Sequence, residues 1–397
     1  QDELERRNKR VSGICSYVRS KSGYPVYSGT EVTYYPFGER MFEDMMKAIK
    51  KAEHFIFIEY FIIRPGVMWN SMLEVLVQKA NEGVEIKIIY DDMGCVALLP
   101  PGYFKQLEKL SPNIKCMAFN PVVPFLSLVM NNRDHRKILV VDGHTGFNGG
   151  INLSDEYINV TSPYGTWKDT GVRLRGDAVI NLTEMFMEMW HTFRDTDAKV
   201  DMEKYSPSLY GPEYHSDGFI QPFYDSPLDD ETISANVYAD IVNCAQDYVY
   251  IFTPYLILDD TMKNALCLAA KRGVDVRIVT PGIPDKKLIY RLTRANYKPL
   301  LKAGVRIYEY TPGFIHAKSF VSDDKIGVVG TINLDYRSLF LHFECGTLMY
   351  GSSAVESLKK DHITTMDQSR EITLDNIRDY YHGTMFDALL RVIAPLL

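Results

Sequence analysis

The amino-acid sequence predicts an α/β protein made of two pseudo-symmetric units, with a functional site where the units meet. Two observations carry that expectation. The segment HRKILVVDGHTGFNGGINLSDEY from His135 matches HAKSFVSDDKIGVVGTINLDYRS from His316 in a single register, with Lys at +2, Asp at +7, Gly at +14 and Asn at +17 in both copies. Around each copy, strand-like and helix-like stretches alternate in the same order. The chain's 397 residues, 46% of them hydrophobic and 24% charged, are enough for two domains of ordinary size and exclude a disordered or collagen-like chain.

Residues 1–30 form a basic N-terminal segment, with Arg6, Arg7, Lys9 and Arg10 close together. Such a cluster occurs beside membrane anchors and equally as a solvated charge run. Residues 31–200 form the first unit. Its stretches 40–52 and 69–81 carry apolar residues at three- and four-residue spacing, as amphipathic helices do, while 51–63, 83–92 and 113–121 read as strands. Residues 201–217 form a linker punctuated by Pro207, Gly211 and Pro212. Residues 218–397 form the second unit and repeat the pattern, with helices at 231–245 and 261–271 and strands at 245–257, 273–282 and 304–312.

On a strand, alternate side chains share a face, so His135 and Lys137 point one way and Asp142 the other. This assigns His135, Lys137, His316 and Lys318 to chemistry, and Asp142 and Asp323 to structural work such as fixing the following turn. Asn152 and Asn333 follow a second strand, where Gly149, Gly150, Gly330 and Thr331 permit close backbone approach. Each unit can therefore bring His, Lys and Asn to one point. Two such sets surround an anion with two imidazoles, two ammoniums and two amides, a phosphodiester site in which lysines supply the positive charge. One histidine attacks phosphorus while the other protonates the departing alcohol and then deprotonates the incoming one. Each imidazole needs an acceptor on its other ring nitrogen. Asp169 and Glu344, at matched positions beside the strands 170–176 and 345–351, are expected to orient the histidines.

Composition narrows the class. Lys and Arg number 44 against 51 Asp and Glu, a net charge of −7, which disfavours nucleic acid as a partner and requires a local basic site for any anionic substrate. The six cysteines show no C-x-x-C pair and read as reduced core residues in a cytosolic compartment. With no H-E-x-x-H, Cys/His cluster, dinucleotide glycine motif or P-loop, neither metal nor cofactor is expected. No window approaches the roughly 18 uninterrupted apolar residues of a bilayer-crossing helix. The remaining histidines, His342 among them, lack the Lys at +2 and the Asn at +17 and read as surface or satisfied core residues.

The duplicated HxKxxxxD with its trailing G-[GT]-x-N resembles the phospholipase D superfamily. Within it, NNRDHRKILVVDG, GGINLSDEY, GFIQPFYDSPLDDE, PGFIHAKSF and NLDYRSLFLHFE fall in the order seen in the bacterial cardiolipin synthase family. The resemblance implies two phospholipase D-like α/β sandwich domains with the active site at their interface. It implies that one phosphatidylglycerol gives its phosphatidyl group to His135, releasing glycerol, and that a second takes it up as cardiolipin, with His316 as acid and base. It further implies phosphatidylglycerol and an anionic membrane surface as partners, at a bacterial cell membrane with the catalytic region on the cytoplasmic side. Family members carry two transmembrane helices ahead of this region, and the Gln1 start fits their removal. The alternatives are a hydrolytic phospholipase D, a nuclease of the same superfamily and, from another class, a non-catalytic lipid-binding scaffold. The intact His-Lys-Asn sets disfavour the last.

Two stretches are candidates for lipid contact. The first unit carries ten more residues than the second between the matched Pro121 or Pro312 and the motif histidine, including VVPFLSLVM at 122–130. Phe125, Leu126 and Leu128 make it a membrane-dipping element or a core-packing loop. The stretch 286–302 holds Lys286, Lys287, Arg291, Arg294, Lys298 and Lys302 and no acid. It reads as a basic amphipathic helix suited to anionic lipid, or as a solvated helix face.

Overall fold

The computed structural model describes residues 1–121, 131–194 and 202–381. In the first unit lie β1 (Thr30–Tyr35), β2 (Phe55–Tyr60), β3 (Glu85–Asp91), β4 (Ile114–Phe119), β5 (Arg133–Asp134), β6 (Lys137–Val141), β7 (Thr145–Gly149), β8 (Thr166–Lys168) and β9 (Gly171–Gly176). The second holds β10 (Phe219–Asp225), β11 (Tyr248–Phe252), β12 (Asp275–Pro281), β13 (Arg306–Tyr310), β14 (Gly313–Ile315), β15 (Ser319–Ser322), β16 (Ile326–Gly330), β17 (His342–Tyr350) and β18 (Ser369–Ile372). The first sheet runs β1-β9-β7-β6-β2-β3-β4 and the second β10-β17-β16-β15-β11-β12-β13, with β18 added at the β13 edge. Strand for strand, the order is the same. In both, three strands are parallel (β2-β3-β4 and β11-β12-β13) and the motif strands join antiparallel.

Burial explains why these stretches are strands with little polar alternation. Every residue of β2, β6, β7, β11, β15 and β16 is buried, as expected for a sheet covered on both faces. The outer face of the first sheet is covered by the helices Gly38–Lys51 and Val67–Asn81, which pack Met41, Met45, Ile49, Met72 and Leu76 on Ile56, Ile58 and Ile86. Ile233–Cys244 and Asp260–Lys271 do the same in the second unit, placing Val237, Ile241, Leu266 and Ala269 on Val249, Ile251 and Val276. The inner faces share one core with the helices Val179–Phe193 and Ser353–Asp367, in which Phe57, Val140 and Leu174 join Tyr250, Val321 and Met349. At about 1.5–3 kcal/mol for each large apolar side chain withdrawn from water, that shared core opposes separation of the units. Buried polar contacts fix their register: Lys168 Nζ lies 2.8 Å from Asp361, Tyr34 donates to the same carboxylate at 2.6 Å, and Asn148 donates to Cys345 Sγ at 3.0 Å.

The N-terminal segment departs from its charged appearance. Asp2–Arg7 and Lys9–Ser22 are helices, the second capped by the Asn8 side chain and closed by Gly23 at φ 81°. Leu4, Val11, Ile14, Cys15 and Val18 lie in the second unit's core with Phe219 and Tyr238. The expected linker is also anchored, because the buried Tyr205 ring sits 4.8 and 5.1 Å from Phe55 and Phe57. Cys15, Cys95, Cys116 and Cys345 are buried, Cys244 and Cys267 partly so, and all six are free thiols. Among the described residues, no helix is long and apolar enough to cross a membrane.

The motif aspartates close the far ends of the sheets. Asp142, at φ 48°, accepts from the backbone N–H groups of Glu53, His54 and Phe55 at 2.9, 2.8 and 2.9 Å. Asp323, at φ 52°, does the same for Gln246, Asp247 and Tyr248 at 2.8, 3.0 and 2.9 Å. Each therefore ties down the loop that enters the neighbouring strand, β2 or β11, where the sequence suggested the turn that follows. Five residues at about 3.3 Å each put Asp142 about 16 Å beyond Lys137, so distance as well as strand parity keeps it from the motif histidine. Asp142→Asn replaces an acceptor with a donor facing the Glu53 N–H. It should lower the unfolding free energy by about 1–3 kcal/mol, read as a lower denaturation midpoint at unchanged slope, with turnover per folded molecule unaltered.

Candidate active site

Two short strands carry the motif histidines across the unit boundary. β5 pairs in parallel with the start of β17, His342 opposite Arg133 and Phe343 opposite Asp134, and β14 pairs in parallel with β8, Phe314 opposite Trp167 and Ile315 opposite Lys168. The next residue along is in each case the motif histidine. The His135 N–H donates to Phe343 O at 2.9 Å, and the His316 N–H to Lys168 O at 2.7 Å. Glu344 and Asp169 follow those carbonyls directly. His135 Nδ1 consequently lies 2.9 and 3.0 Å from the two Glu344 oxygens, and His316 Nδ1 lies 2.6 Å from Asp169 Oδ2. Each imidazole is held by the backbone and the carboxylate of the opposite unit.

The carboxylates are seated by two different devices. A Cβ on Gly150 would fall 2.1 Å from Asp169 Oδ1, so only glycine lets the backbone pass there. At the matched position Thr331 instead donates its hydroxyl to Glu344. Lys137 and Lys318 are fully buried beneath the histidines. Lys137 Nζ donates to His135 O at 2.5 Å, and Lys318 Nζ contacts His316 O and lies 2.8 Å from His316 Nδ1. Asn152 is clamped, accepting from the Ile62 N–H at 3.1 Å and donating to Tyr157 at 2.8 Å, whereas Asn333 Oδ1 is buried without a partner. His135, Asn152, His316 and Asn333 all line one cavity of about 690 Å³.

Burial, reinforced by Lys137 and His342, holds His135 well below the usual histidine range. Burial and Lys318 push His316 down to about 4 against the pull of Asp169. Both imidazoles are therefore neutral at neutral pH in the free protein. Burial also pulls the ammoniums down, Lys137 to about 8 and Lys318 to about 7. For the carboxyls the balance differs. Burial raises Glu344 well above its usual range, whereas at Asp169 the contact with His316, the Lys318 charge and the Thr170 N–H outweigh burial and leave it lowered.

His342 lacks the motif spacing that singles out His135 and His316 in the sequence, yet it lines the cavity with its ring centroid 5.7 Å from that of His135. The signal was present: two residues ahead of Glu344 on one strand, it must share that residue's face. Trp167 holds the matched place, 5.5 Å from His316. The basic stretch 286–302 breaks at Asn296 into the helices Lys287–Ala295 and Tyr297–Ala303. Lys286 lines the cavity, Lys287 is exposed and Arg291 half-buried. Arg294 does not belong to a lipid-facing surface: it turns inward, with Nε 2.7 Å from Glu309 and Nη1 donating to Tyr380 O at 2.6 Å. Phe125, Leu126 and Leu128 lie outside the described residues.

Comparison with known proteins follows the same lines. The family model for the cardiolipin synthase PLD-like domain matches residues 45–190 and 238–363, one stretch in each unit. The chain is 48% identical over 396 residues to an uncharacterized protein of Streptococcus mutans, covering 100% of this chain and 85% of that one. It is 34% identical over 376 residues to a cardiolipin synthase of Alkalihalophilus pseudofirmus, covering 94% of this chain and 73% of that one. Its fold resembles the crystal structure of a phosphatidylserine synthase from Haemophilus influenzae, with a TM-score of 0.70 at 14% identity and 98% of each chain covered. With matched sheets, a duplicated motif and a family match in both units, the chain belongs to the cardiolipin synthase family of phospholipase D-like proteins.

Proposed function

We propose that the protein makes cardiolipin by transferring a phosphatidyl group from one phosphatidylglycerol to another through a phosphohistidine. The observation that supports this reading is the pair of imidazole–carboxylate contacts, at 2.9 and 2.6 Å, facing a single cavity above two buried ammoniums. With Nδ1 tied to a carboxylate, Nε2 of each ring is the nitrogen left for chemistry. His135 Nε2 attacks phosphorus, the bond to the glycerol oxygen breaks, and His316 gives that oxygen its proton. The second phosphatidylglycerol then loses a hydroxyl proton to His316, its oxygen attacks phosphorus, and the P–N bond to His135 breaks. Lys137, Lys318, Asn152 and Asn333 offset the charge on the phosphoryl oxygens. The entering diester anion raises His316 from its low value, which is how an imidazole neutral in the free protein becomes the acid.

The surface around the cavity mouth fits an anionic bilayer. Exposed Val67, Met93, Val160, Ile283 and Leu288 adjoin the lining residues Arg64, Lys286 and Glu156. Val67 and Val160 both hydrogen-bond through their backbone N–H to Asp155, beside Glu156. Apolar side chains next to Arg64 and Lys286 favour insertion at a negatively charged interface, against the opposing charges of Asp155, Glu156 and Asp285.

Incubation with phosphatidylglycerol vesicles in the presence of chelator tests the reading: cardiolipin with free glycerol is expected. Phosphatidic acid with glycerol would make the protein a hydrolase, and no turnover would favour a nuclease or scaffold. His135→Ala should form no covalent adduct, while His316→Ala should accumulate one and turn over roughly 10²–10⁴-fold more slowly, as judged by intact mass after acid-free quenching. Because the lysines are charged below about 8 and about 7, KM for phosphatidylglycerol should rise between pH 7 and 9 as that charge is lost. The double variant Val160→Asp, Ile283→Asp should bind phosphatidylglycerol vesicles at least about tenfold more weakly in sedimentation, with its fold intact.

A further inference from the structure

One side chain in the cavity has no task in the proposed reaction. Both ring nitrogens of His342 are buried and without a hydrogen-bond partner, and its side chain is only 11% exposed. Buried polar atoms in that condition call for a partner. His342 Nδ1 lies 3.8 Å from Glu344 Oε1, and His135 Nδ1 lies 2.9 Å from the same oxygen. One nitrogen from each imidazole and one carboxylate oxygen fall within 4.8 Å of one another. The other half of the cavity has Trp167 at the matched place and cannot form such a set.

We propose that His135, His342 and Glu344 form an inhibitory site for a transition-metal dication of the Zn²⁺ class. Two imidazole nitrogens and one carboxylate oxygen are a donor set that such ions take in proteins. Bonds of 2.0–2.1 Å to a tetrahedral ion imply donor separations of about 3.3–3.4 Å, so the His342 ring swings in by up to about 1.4 Å and the 2.9 Å contact between His135 and Glu344 opens by about 0.4 Å to complete the set. The ion takes the His135 Nδ1 electron pair, the Nδ1 proton passes through solvent to Nε2, and the contact with Glu344 is replaced by bonds from the ion to both. With Nε2 protonated, the His135 ring has no electron pair to offer phosphorus and no longer serves as nucleophile. Arg133, Lys137, Lys286 and Arg337 face the same region and oppose a dication. The two imidazole nitrogens offset that repulsion for ions that bond strongly to imidazole and not for Mg²⁺ and Ca²⁺, which seek oxygen ligands.

The inference rests on the proposed reaction only for its effect on turnover; occupancy of the site does not depend on it. Titrating the metal-free protein with Co²⁺ should give the visible absorption of a tetrahedral complex at one equivalent, which Zn²⁺ then bleaches. His342→Phe and His342→Asn should each abolish that absorption and raise the Zn²⁺ concentration for half-inhibition, relative to each variant's own chelated rate, by at least about tenfold. Retention of the Co²⁺ spectrum in either folded variant, or unchanged Zn²⁺ inhibition, would overturn the site. A normal Co²⁺ titration in a protein that does not turn over phosphatidylglycerol would count against the proposed function and leave the metal site standing.

Discussion

The exchange of short strands between the two units is the constraint on which the site depends. β5 reaches out of the first unit to pair with β17, and β14 reaches out of the second to pair with β8. Each motif histidine therefore takes its backbone hydrogen bond and its Nδ1 partner from the other unit. A single unit would present an imidazole with no acceptor and a buried carboxylate without its imidazole, and breaking a buried pair by removing one partner costs about 3–5 kcal/mol. The shared inner core holds the sheets at the separation this exchange requires.

Duplication supplied two equal halves, and a few matched positions make them unequal. Gly150 and Thr331 seat Asp169 and Glu344 in different ways, and Trp167 stands where the second half has His342. Lys168, buried against Asp361, is matched by Phe343 in the shared core. These differences act on charge. Asp169 is held low by Lys318 and its contact with His316 while burial carries Glu344 upward. Two imidazoles with the same local geometry thus sit in different fields, a condition for dividing nucleophilic and acid–base work between them.

Much of this was legible in the residues. Repeat and periodicity were enough to place β2, β3, β4 and their counterparts, because a largely buried parallel strand and an amphipathic helix each leave a local pattern. Strand parity was enough to remove Asp142 from the chemistry. The crossed pairing of His135 with Glu344 was not legible, since it depends on β5 leaving its own sheet, and two residues of strand carry no recognisable pattern. The N-terminal helices were hidden for another reason: Val11, Ile14, Cys15 and Val18 have helical spacing, but the basic residues between them dominate the composition. Arg294 looked like surface charge because its partner, Glu309, lies on β13 and meets it only in the fold.

The crossed pairing is tested most directly by single-turnover measurement of the covalent phosphatidyl adduct in four proteins, His135→Ala, His316→Ala, Glu344→Gln and Asp169→Asn. Glu344→Gln should behave like His135→Ala, with the adduct lost or slow to form, although Glu344 belongs to the other unit. Asp169→Asn should behave like His316→Ala, with an adduct that forms and is slow to leave. Carboxylate variants that instead follow the histidine of their own unit would contradict the account.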